Sequence, residues 1–120
     1  MPSVNTVEKF VDLVTAGRFI EAMEQFYATD ATAQENSAPP RVGLPALLEH
    51  ERATLARSER IETSCPSPPL IDGDRVIIHW RFVFHVAGRS TVLEELASQT
   101  WRGEQLVAER FFYDSRQLRP

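Results

Sequence analysis

Apolar residues recur at helical spacing through the first half of this chain and alternate with polar ones through the second. Val7, Phe10, Val11 and Val14 form one stripe, with Asn5 and Glu8 spaced as a capping box before it and Gly17 as its stop. This predicts a first helix of about three turns. Phe19, Ile20, Met23, Phe26 and Tyr27 predict a second helix over Arg18 to Tyr27. Leu44, Leu47, Leu48 and Leu55 predict a third, with Pro45 tolerated in its first turn. Between the second and third helices, Ala31, Ala33 and Glu35 share one side of a short extended segment, opposite Thr32, Gln34 and Asn36. Glu35 therefore continues an apolar face.

The period changes near residue 60. Val76, Ile78, Trp80, Phe82, Phe84 and Val86 point one way along a strand, and Ile77, His79, Arg81, Val83 and His85 the other. Asp72-Gly73 reads as the turn into this strand and Ala87-Gly88 as the hairpin out of it. Ser90 to Trp101 follows, then a turn at Arg102-Gly103-Glu104, and Gln105 to Tyr113 as the last strand. Arg60 to Cys65 makes a further strand, and Pro66-Ser67-Pro68-Pro69 marks an edge or a bulge, because proline cannot donate to a central ladder. Helices first and strands later predict an α+β domain, with three N-terminal helices packed on one face of a curved antiparallel sheet. Alternation groups Leu93, Glu95, Ala97, Gln99 and Trp101 against Val92, Glu94, Leu96, Ser98 and Thr100, and pattern alone leaves open which set faces inward.

A length of 120 residues predicts a single domain spanning 1–120, able to bury a core without staples. The 42% hydrophobic and 25% charged content is that of a globular protein. No apolar run approaches membrane-spanning length, and Met1-Pro2-Ser3-Val4-Asn5 lacks the basic and apolar parts of a secretion signal, so a cytoplasmic location is expected. A formal charge of −4 without a Lys/Arg cluster excludes nucleic acid as an expected partner. The single Cys65 supports neither a disulfide scaffold nor a metal site.

The order helix, helix, short strand, helix, four strands resembles the nuclear transport factor 2-like superfamily, and within it the SnoaL-like group. Carrying the resemblance are Phe26-Tyr27 with Asp30-Ala31-Thr32, Arg41-Val42-Gly43 before the third helix, and Glu109-Arg110-Phe111-Phe112-Tyr113-Asp114. The resemblance implies a cone-shaped domain whose sheet and helices enclose a pocket. Members include steroid isomerases, polyketide cyclases, epoxide hydrolases, dehydratases and binding modules, so the fold alone names no activity. Glu35 falls where the isomerases place a proton-shuttling carboxylate. Their oxyanion-stabilising tyrosine corresponds to Phe10 and their protonated aspartate to Ala97, and the Arg-x-Asp arrangement of the hydrolases is met only by Arg81-Phe82-Val83. The resemblance also favours Leu93, Glu95, Ala97, Gln99 and Trp101 as the inward set, with Glu109, Phe111 and Tyr113 beside them. It further implies a homodimer through the outer sheet face that carries His79, Arg81 and His85.

Two readings follow. In the first, a cofactor-independent isomerase, cyclase or lyase acts on a small hydrophobic or carbonyl-containing molecule. Glu35 serves as general base with His50 beside it, since His50 flanks the apolar stripe of the third helix. Phe10, Tyr27, Trp80, Phe82, Phe84, Glu95, Gln99, Trp101, Glu109, Phe111 and Tyr113 then form the ligand wall, with no metal. In the second, the same cavity binds or senses a small molecule without chemistry, and Glu35 is a strand-end carboxylate paired with Arg41 or a backbone donor at the domain rim.

Overall fold

The computed structural model describes residues 1–119, which form three helices and a seven-stranded sheet. Helix α1 spans Val4–Thr15 and buries Val7, Phe10 and Val14. Its cap is Ser3, whose hydroxyl accepts from the Thr6 amide at 3.1 Å, so the expected Asn5/Glu8 box is corrected by two residues. Ser3 satisfies an otherwise unpaired amide of the first turn, that of Thr6, as a cap two residues earlier. Helix α2 spans Phe19–Phe26, and Tyr27, expected to end it, instead takes an extended backbone (φ −81°, ψ 137°) and opens strand β1, Tyr27–Glu35. The segment expected to be a short strand is thus nine residues long. Strand β2 is Arg41–Val42, and α3 covers Leu44–Ala56 with Leu47 buried.

Strands β3 (Arg60–Ser64), β4 (Leu70–Asp72), β5 (Arg75–Val86), β6 (Arg89–Arg102) and β7 (Gln105–Phe112) follow, and a short 3₁₀ turn spans Ser115–Leu118. The order is β2-β1-β7-β6-β5-β3, with β4 also on β5. Strands β3 and β4 occupy one edge of β5, with Pro66 to Pro69 between them, as the proline content requires. The separate β4 was not foreseen. At the β5–β6 hairpin Val86 pairs with Arg89, leaving Ala87 (φ 50°) and Gly88 (φ 77°) as a two-residue turn with both φ positive.

The helices pack on a largely antiparallel sheet, as expected, with one parallel join. The sheet is mixed, because β1 runs parallel to β7, with Ala33 opposite Glu109 and Glu35 opposite Phe111. Strands so far apart in sequence are free to pair in either direction, and the connection from β1 to β7 runs through α3 and the strands β3 to β6. The core lies between helices and sheet and includes Ala31, Val76, Ile78, Ala97 and Leu106, all fully buried. Phe10 sits at its centre, with ring centroids 5.9 Å from Phe26, 6.4 Å from Trp80 and 6.0 Å from Trp101. Val86, expected on the inward face, is exposed where the hairpin runs past the core.

Candidate functional site

Alternation along β6 puts Leu93, Glu95, Ala97, Gln99 and Trp101 inward, and all five are buried. Two of the five are polar and one is acidic, which an inward face accepts only where partners or a cavity await them. Here there is a cavity of about 170 Å³ that opens to solvent. An apolar cavity of about 150 Å³ holds a benzene molecule, so the space suits a small ring compound. Trp80, Phe82 and Phe84 of β5 line one wall, at successive centroid distances of 6.1 and 5.9 Å. Phe10 comes from α1, Tyr27 from the start of β1, and Glu109 and Phe111 from β7. His50, Glu51 and Thr54 reach in from α3, and Glu35 and Arg41 complete the lining.

Glu35 and His50 therefore share one cavity. Glu35 lies at its partly exposed rim, with Oε2 3.1 Å from Arg41 Nη1 and Oε1 accepting from the Tyr113 hydroxyl at 3.3 Å. Both the cavity and the Arg41 pairing foreseen for Glu35 are thus present. Burial and the nearby Arg41 push the His50 imidazole below its usual range, against the opposing pull of Glu35, so His50 is neutral at pH 7.

Gln99 and Trp101 do not reach the cavity wall. They are packed behind it in a buried polar chain: Trp101 Nε1 donates to Gln99 Oε1 at 3.0 Å, and Gln99 Nε2 donates to Glu109 Oε2 at 2.6 Å. The Tyr27 hydroxyl donates to the other Glu109 oxygen. Burial pushes Glu109 up to about 7 despite these donors, and drives the Tyr27 phenol well above its usual value. Tyr113 lies just past β7 and meets the site only through Glu35.

Glu95 differs from Glu109. It is 9% exposed, faces the cavity, and has no hydrogen-bond or ion-pair partner among the described residues. Burial first, then the carboxyls of Glu109, Glu35 and Glu51, push it up to about 8, so at neutral pH it carries a proton. Glu51 is the residue the sequence reading missed. It follows His50 on α3 and lines the cavity, and burial raises its carboxyl against the pull of Arg41. A helical Glu among Glu49 and Arg52 reads as solvated. Its signal was position alone, four residues after the buried Leu47. On the opposite sheet face His79, Arg81 and His85 are half-buried and meet carboxylates of their own chain: Glu94 lies 3.8 Å from His79 and 3.7 Å from Arg81, and Glu62 lies 2.9 Å from His85. Among the described residues no three His, Cys, Asp or Glu side chains are grouped to hold a metal ion, and no helix is long and apolar enough to cross a membrane.

Residues 7–109, most of the chain, match the SnoaL-like domain family. The chain belongs to that family. Solved structures bear out the fold at low identity. A protein from Jannaschia sp. CCS1 assigned as a SnoaL-like polyketide cyclase is 14% identical, with a TM-score of 0.81 over 96% of this chain and 87% of its own. A second protein so assigned, from Mesorhizobium loti, is 19% identical, with a TM-score of 0.78 over 94% of this chain and 100% of its own. A hypothetical protein with a ketosteroid isomerase-like fold from Catenulispora acidiphila, in complex with trimethylamine, is 19% identical, with a TM-score of 0.75 over 91% of this chain and 85% of its own. No curated protein matches the chain in sequence. This SnoaL-like domain thus shares its fold with proteins assigned as polyketide cyclases and with one described as having a ketosteroid isomerase-like fold.

Proposed function

We propose that this SnoaL-like domain binds a small, mostly apolar carbonyl compound in its cavity and moves a proton on it. The observation that carries the reading is Glu95, a nine-tenths buried residue whose carboxyl has no partner and faces the cavity. Protonated, it donates a hydrogen bond to the carbonyl oxygen and stabilises the negative charge that develops there. Glu35, held by Arg41 and the Tyr113 hydroxyl, takes the proton from the carbon next to the carbonyl. The proton returns to another carbon in an isomerisation; alternatively the carbanion attacks a second carbonyl or expels a leaving group. The aromatic wall holds the ring, and neutral His50 lies near Glu35 as a hydrogen-bond partner for polar substituents.

Hydrogen–deuterium exchange at the α-carbons of 2-indanone, followed by proton NMR in heavy water, tests the reading. Exchange should exceed the buffer rate, and Glu35→Gln and Glu95→Gln should each lower it by about 10- to 100-fold without lowering the melting temperature. Exchange no faster than in buffer, with 2-indanone still raising the melting temperature, would instead favour binding without chemistry. That second reading has its own support, since the Glu35 carboxylate is already engaged by Arg41.

A further inference from the structure

We infer that the cavity also accepts a small organic ammonium ion, taken up in exchange for a proton. Three carboxyls, Glu51, Glu95 and Glu109, line one cavity, and none of them forms an ion pair among the described residues. Glu109 is satisfied by Tyr27 and Gln99, whereas Glu95 has no donor at all. A buried carboxyl in this position either keeps its proton or waits for a cation.

The protein does not supply that cation. Of the basic side chains on the lining, Arg41 is bound to Glu35, and His50 is neutral near pH 7. The other groups that bear on the cavity are Glu35 and Tyr113 at the rim, Tyr27 beneath, and Arg57 acting on His50 from the end of α3. None places a second positive charge beside Glu95.

The rings beside Glu95, whose cross-strand partner is Trp80, select the kind of cation. Trp80, Phe82 and Phe84 present a run of rings, with Phe10 edge-on to Trp80, and ring faces attract a diffuse positive charge. A quaternary ammonium carries no N–H that must be satisfied, so it needs only a carboxylate and rings. A metal ion would need converging ligands, which are not found among the described residues. As the ammonium enters, Glu95 gives up its proton to water, and the net charge of the cavity is unchanged. A carbonyl guest requires that proton to stay. The two classes of guest therefore respond oppositely to pH.

Calorimetric titration with choline and with its neutral isostere 3,3-dimethylbutan-1-ol, from pH 6 to 9, tests the inference. Choline should bind at least about tenfold more tightly than the alcohol at pH 8, with an affinity that rises with pH and levels off above about 8. A pH-stat at pH 7 should record close to one proton released per choline bound. Glu95→Gln should remove both the proton release and the pH dependence and weaken choline at least about tenfold, while its melting curve stays cooperative. Equal affinity for the two probes, choline binding without proton release, or no choline binding would each overturn the inference. Exchange at 2-indanone is read on a neutral probe and stands or falls separately.

Discussion

Gln99 and Glu109 face each other in register across β6 and β7, and their side chains meet at 2.6 Å inside the core. The pair fixes the orientation of both. The Gln99 amide donates to Glu109, which turns its carbonyl toward the Trp101 indole, from which it accepts. Replacing Gln99 by Leu leaves an indole N–H and a carboxyl oxygen unpaired, and should cost about 2–4 kcal/mol in urea unfolding. Exchange at 2-indanone should fall less than in Glu95→Gln, because Gln99 does not reach the cavity wall.

Folding stability should depend on pH through Glu95 and Glu109. Their folded values, about 8 and about 7, lie above the 4.5 of an unfolded glutamate, so between these limits the native state holds more protons than the unfolded one. Stability is then full below pH 4.5 as far as these two groups contribute, and is lost as pH rises toward 8. Glu95→Gln should flatten this decline and stabilise the protein above pH 8, by on the order of 3 kcal/mol. Urea midpoints measured at pH 5, 7 and 9 check the sign; a wild-type protein that gains stability over this range would contradict it.

Proton exchange on a neutral ketone should weaken as Glu95 ionises. The rate for 2-indanone is expected to drop about tenfold per pH unit above about 8, after correction for the hydroxide-catalysed reaction. Glu95→Gln should retain its residual rate without that drop.

Arg41 holds Glu35 at a partly exposed site, where an ion pair contributes little to stability. Arg41→Gln should shift the unfolding free energy by less than about 1 kcal/mol. Its effect on exchange should be larger, because Glu35 loses the contact that aims it and Glu51 loses a neighbouring positive charge. A variant equal to wild type in exchange would remove Arg41 from the site.

Phe10 is 2% exposed and meets Phe26, Tyr27, Trp80 and Trp101 at once. Phe10→Ala should cost about 3–5 kcal/mol in urea unfolding and enlarge the cavity.

Local signals carried the hairpins and helices, because alternation in β5 and β6 and the stripe of α1 are properties of neighbouring residues. The inward set of β6 needed the family likeness to choose it, and Leu93 through Trp101 lie as that likeness implied. The direction of β1 against β7 was not legible, since nothing near Tyr27 or Leu106 encodes a pairing so distant. Tyr27 itself misled by continuing a helical stripe, although its ring contributes to the same core from a strand. Of the site, Glu35, His50 and the aromatic wall were readable as faces of their elements. Glu51 was not, because only tertiary packing turns that side of α3 inward, and the isolation of Glu95 is a fact about its neighbours.

The parallel join of β1 to β7 also sets when the cavity can exist during folding. Tyr27 and Glu109 are 82 residues apart, and the wall they share closes only after β5, β6 and β7 have formed and met β1. A chain emerging from the ribosome must hold α1, α2 and β1 without their sheet until β7 has been made. Folding is therefore dominated by distant contacts and should be slow for its size, with an exposed β1 as the segment most in need of protection while the chain is incomplete.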